Sequence, residues 1–196
     1  MKKISRKKAK QLAPALFFRR TAAGQKGRQG FILNTSLEPV PFRYSIVRVA
    51  KALQILCAEL GIDSLRFLPW YPAPWLYQKN DYPPIEAAYQ YFLDSGIGKK
   101  FDGLIEVPVA ELREFIPHLF WLVRGNSTAD NYFCDPDGRM ILSLCKYGNI
   151  HGAYKFSFEK EFEAAAERAG FNVGSECIRT SSALPGRRML GYKKLN

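Results

Sequence analysis

Ten lysine and arginine side chains fall within the first thirty residues, and no acid falls among them. They are Lys2, Lys3, Arg6, Lys7, Lys8, Lys10, Arg19, Arg20, Lys26 and Arg28, and the first carboxylate of the chain is Glu38. Cations at this density neutralise phosphates and release counterions, the chemistry of polyanion binding. The 196-residue chain is +11 overall, so this segment carries nearly all of the excess. A second group lies in the proline-rich stretch 69–77, where Trp70, Tyr71, Trp75 and Tyr77 are candidate contact residues. Aromatics beside basic groups stack on unpaired bases. They also anchor protein partners, and they serve equally well as a lid over a core.

The remaining constellations are weaker. Asp102 and Glu106 are four apart in an expected strand, so they share a face that would suit a divalent cation. No lysine follows Glu106 at the spacing a nuclease of that kind needs. The stretch Gly96-Ile97-Gly98-Lys99-Lys100 lacks the spacing and hydroxyl of a phosphate-binding P-loop. Arg113 and His118 stand five apart, a spacing that resembles the active-site pair of HEPN ribonucleases. That resemblance implies helix-borne Arg and His acting on an RNA phosphodiester. That family is all-helical, whereas the sequence after His118 is strand-rich, and Glu114 would oppose a phosphate. Cys134, Cys145, His151 and His118 are zinc-ligand types, but no Cys-x-x-Cys pair exists. No metal, cofactor or catalytic set is expected. Cys57, Cys134, Cys145 and Cys177 are expected as free thiols, inward-facing in apolar runs.

The elements that must position these groups follow from periodicity. Apolar residues at helical spacing from Ile46 to Leu60 predict a helix over 45–60, with Gly61 as its stop. Pro83-Pro84 opens a second helix closed by Gly96. Strands are expected at 63–68, 101–107, 119–123, 131–134, 139–145, 152–156 and 171–178. The sequence Asp135-Pro136-Asp137-Gly138 predicts a tight turn joining two of them. A short helix over 109–116 is expected to stop at Pro117, and another spans 158–169. Hairpins outnumber crossovers. The fold class is therefore α+β: an N-terminal basic arm and helices, then a mostly antiparallel sheet with two packing helices. Residues 1–30 read as a flexible basic arm, and 31–196 as a single domain.

These features predict a cytoplasmic, non-enzymatic protein that binds nucleic acid, or another polyanion, through its arm. DNA and RNA are not distinguished. The alternative partner is a protein, with the chain acting as an interaction module of immunity, antitoxin or regulatory type. A nuclease comes a distant third. No apolar run reaches the length of a membrane span.

Overall fold

The computed structural model describes residues 1–17, 27–35, 42–69, 73–125, 131–178 and 193–194. Alternating apolar residues build one sheet from β1 (Lys2–Ile4), β2 (Arg28–Asn34), β3 (Ser64–Pro69), β5 (Leu104–Pro108), β6 (Asn131–Cys134), β7 (Met140–Leu144), β8 (Ile150–Lys155) and β9 (Asn172–Gly174). Their order is β1-β5-β3-β6-β7-β8-β2-β9, with every neighbouring pair antiparallel. A separate two-stranded pair joins β4 (Gln78–Lys79) to β10 (Lys193–Lys194). Among the described residues there are five α-helices: α1 (Arg6–Leu12), α2 (Phe42–Glu59), α3 (Pro83–Asp94), α4 (Leu112–Gly125) and α5 (Glu159–Arg168). The class is mixed α+β, as the hairpin-rich pattern predicts.

Period-two alternation sends successive side chains to opposite faces of the sheet. Phe31, Leu33, Leu65, Phe67, Ile105, Val107, Phe133, Met140, Leu142 and Tyr154 point to one face. There they meet the apolar sides of α2, α3, α4 and α5 in a single large core. Phe67 stacks on Phe133 at 4.6 Å and Phe31 on Tyr154 at 5.2 Å, so this face is packed largely through rings. The intervening residues Leu68, Leu104, Cys134, Ile141 and Ala153 point to the other face. They form a second, smaller core with Ile4, Ala9, Ala13 and Leu16 from the N-terminal segment.

That second core changes the expected domain boundary. The sequence reading sets residues 1–30 apart from the body, but residues 1–17 are part of it. Lys2–Ile4 pairs along β5 as the edge strand, and Ala9 is fully buried. The N-terminal ammonium forms an ion pair with Glu111 at 2.8 Å. β1 lies at one edge of the sheet and β2 near the other, with α1 lying on the second face between them in sequence. Ile4 also approaches Gly103 so closely that a Cβ there would run into the Ile4 carbonyl oxygen.

The expected strand at 119–123 is instead the second half of α4, which runs through Pro117. A short apolar run fits a buried strand or a buried helix equally well. Here Leu112, Phe115, Ile116, Leu119, Phe120, Leu122 and Val123 all bury on the helical side. That burial outweighs the backbone hydrogen bond that proline removes. The other helix stops fall where glycine predicts them. After Gly61, Gly96 and Gly170, the next amide reaches back to the carbonyls of Cys57, Phe92 and Ala166 at 2.8–2.9 Å. None of the described helices is long and apolar enough to cross a membrane.

Candidate nucleic-acid interface

The N-terminal segment sorts its residues by side. Ser5 precedes α1, and its Oγ accepts from the Lys8 amide at 3.4 Å. Ala9 and Ala13, four apart, face the sheet, and their small side chains let the helix backbone approach it closely. Lys7, Lys8 and Lys10 fall on the opposite side and are exposed. Lys2, on β1, is exposed as well. None of these four has a side-chain partner among the described residues.

The other cations of the segment are committed to the fold. Lys3 Nζ donates to the Gly96 carbonyl at 2.7 Å. Arg6 donates to the Asp102 carbonyl at 3.0 Å and lies over the Phe17 ring at 5.5 Å. Arg28 is a β2 residue rather than a mobile one. Its guanidinium donates to the carbonyls of Gly138 and Arg139 at 2.6 and 3.1 Å. Arg19, Arg20 and Lys26 lie outside the described residues.

The anchor that seats α1 is a residue that charge counting alone does not single out. Arg66, on β3, donates through Nε to Glu106 at 2.9 Å and through Nη1 to the Leu12 carbonyl at 2.7 Å. The second bond places a cation on the C-terminal carbonyls of α1, where the helix dipole favours it. Arg66 also reaches the Pro136 carbonyl at 3.1 Å, in the turn between β6 and β7. That turn forms as the sequence predicts, with the Gly138 amide donating to the Asp135 carbonyl at 3.0 Å. The buried Asp135 carboxylate accepts from Arg139 Nε and from the Met140 amide.

Several sequence candidates separate in space. Trp75 is 2% exposed, donates Nε1 to the Gly103 carbonyl at 2.8 Å and stacks near Phe92. It is a core residue, not a contact residue. Tyr77 is half-buried, and Trp70 and Tyr71 lie outside the described residues. Glu106 is held by Arg66, and Asp102 contributes only its carbonyl to Arg6, so the two carboxylates form no cation site. Arg113 and His118 do share α4, but five residues of helix turn them to different sides. His118 lies flat against Tyr91 with ring centres 4.0 Å apart. Burial lowers the His118 pKa against the opposing pull of Glu114, and burial pushes Tyr91 up to about 12.

The thiols divide into two pairs. Cys57 and Cys134 are buried in the two cores, where burial pushes each up to about 12. Cys145 and Cys177, expected as inward-facing core residues, are only half-buried and lie near His151. No spacing in the sequence joins Cys177 to the other two. Its position follows from the chain path after β9. Comparison of the chain with protein-family models, with curated proteins and with solved structures finds no match.

Proposed function

We propose that the protein is a non-enzymatic binder of nucleic acid, using the outward lysines of its folded N-terminal segment. The observation that carries this reading is the sorting of charge within residues 1–17. Lys3 and Arg6 are bound to carbonyls, while Lys2, Lys7, Lys8 and Lys10 are exposed, with no acid in the segment to neutralise them. The backbone that carries these cations is already ordered by the strand and the helix, so binding has only their side-chain freedom to restrict. Phosphate neutralisation of this kind gives affinity without base readout.

The test is binding of labelled duplex DNA and duplex RNA across a salt series. Four engaged phosphates give a slope of log affinity against log salt of about −3.6 on DNA. Lys7→Gln, Lys8→Gln and Lys10→Gln together should reduce it to about −1. No binding at low salt, or an unchanged slope in the triple variant, would overturn the proposal. A protein-interaction role would then come first. Its support is Val47, 59% exposed, three residues from the half-exposed Tyr44 on the outer side of α2.

A further inference from the structure

The half of the second sheet face away from α1 carries a polar cluster that the polyanion reading does not use. β7 ends at Leu144 and β8 begins at Ile150, with a tight turn between them. The Gly148 amide donates to the Cys145 carbonyl at 3.0 Å and the Cys145 amide to the Asn149 carbonyl at 2.9 Å. Alternation along β8 places His151 on the same face as Ala153, the face opposite the aromatic core. After β9 the chain turns back across this face. The Glu176 carbonyl accepts from Asn34 at 3.2 Å and the Ile178 carbonyl from Asn149 at 2.8 Å. Cys177, between them, is thereby held against the turn. Its Sγ lies 3.9 Å from Cys145 Sγ, and a ring nitrogen of His151 lies within 4.8 Å of both sulfurs.

We propose that Cys145, His151 and Cys177 form a binding site for a borderline-soft divalent cation, zinc above all. The separations fit that ion. A tetrahedral centre with bonds of about 2.3 Å to sulfur holds two thiolates about 3.8 Å apart. The observed separation is nearly twice the length of a disulfide bond, which is about 2.05 Å. Two thiolates and a neutral imidazole cancel the double charge of the ion, so the loaded site is neutral and tolerates partial burial. The surroundings already point hydrogen-bond donors at the sulfurs. The Tyr147 amide donates to Cys145 Sγ at 3.4 Å and Asn149 Nδ2 to Cys177 Sγ at 3.2 Å. Outer contacts of that kind orient metal-bound ligands and tune their charge. His151 Nε2 is buried without a hydrogen-bond partner, a cost that coordination or a rotated ring would remove. No other Cys, His, Asp or Glu among the described residues completes the set. Three protein ligands leave one position for water or an incoming ligand, as in zinc sites that exchange ligands.

The experiment uses the full-length protein, reduced, stripped with chelator and titrated with cobalt(II). The expected result is sulfur-to-cobalt charge-transfer absorption that saturates at one ion per chain and is displaced by zinc. Cys145→Ser or Cys177→Ser should each remove about half of that absorption and weaken binding by more than about tenfold. The double variant should abolish the band, and Cys57→Ala should keep it. Absence of the band in the reduced native protein overturns the proposal, and this readout does not depend on how any variant folds. Persistence of the band in the double variant also overturns it. So does recovery of a Cys145–Cys177 disulfide whose reduction leaves a protein that takes up no cobalt.

Discussion

The two faces of the sheet are covered by opposite kinds of chain. One face carries Phe31, Phe67, Phe133 and Tyr154 and meets four helices whose inward residues are large and apolar. Among the described residues, the other carries Leu104, Cys134, Ile141 and Ala153 and meets the seven-residue α1, with three lysines on its outer side, and the short 3-10 helix Pro14–Phe17 that follows it. The first is filled by ring volume, the second by aliphatic side chains packed between small residues such as Ala9, Ala13 and Ala153. A strongly basic sequence can therefore be part of a core, provided one narrow stripe of it is apolar. Ile4, Ala9, Ala13 and Leu16 supply that stripe, and the charge is displayed rather than buried.

Deleting residues 1–17 is the most severe way to break this comparison. It removes the burial of Ile4 and Leu16 and uncovers Leu68, Leu104 and Ile141. At about 1.5–3 kcal/mol for each large apolar side chain, the loss exceeds about 5 kcal/mol. That is comparable with the whole stability of an ordinary domain. The truncated protein should be insoluble or melt far below the full chain; coincident thermal melts would show that the second face needs no cover. Trp75→Ala strikes the first face instead. It should cost about 3–5 kcal/mol by denaturant titration and leave the salt slope of polyanion binding as it is.

Arg66→Ala probes the seam between the basic helix and the sheet. It strands the half-buried Glu106 carboxylate and frees the Leu12 and Pro136 carbonyls. The expected cost is about 2–3 kcal/mol in chemical denaturation. A change within error would mean that α1 is held by its apolar stripe alone. The smallest effect belongs to acid. Burial lowers the His118 pKa below its ordinary 6.5. The unfolded chain then binds the proton more readily than the folded one, so stability declines as pH falls below 6.5. His118→Gln should flatten part of that decline in melts taken from neutral to mildly acidic buffer. An unchanged slope would place the acid sensitivity elsewhere.

Much of the aromatic-packed face was legible in the sequence, because long helical periodicity and glycine stops report burial directly. α2, α3, α5 and the β6–β7 turn lie within a few residues of their expected limits. The sequence divides α4 in two because Pro117 reads as a stop, and because Leu119–Val123 has no period that separates strand from buried helix. β1 was hidden by its shortness and its lysines: three residues with one inward side chain, Ile4, carry almost no pattern. The basic residues were visible as a group, but their division into bound and displayed cations was not. That division depends on carbonyls contributed by Gly96 and Asp102, about ninety residues away in sequence. The nearness of Cys177 to Cys145 does not show in the sequence for the same reason: the two are brought together by strand order, not spacing.

Amide hydrogen exchange in the intact protein tests most directly whether the basic segment belongs to the fold. The amides of Ala9, Ala13 and Leu16 donate to the carbonyls of Ser5, Ala9 and Ala13 at 2.9–3.1 Å on a fully buried side of the segment. They should be protected to nearly the same degree as amides of β3 and β5, and should lose that protection in Arg66→Ala before the aromatic face opens. Exchange at the rate of an unstructured peptide, with β3 and β5 still protected, would contradict the account and return residues 1–17 to a free basic arm.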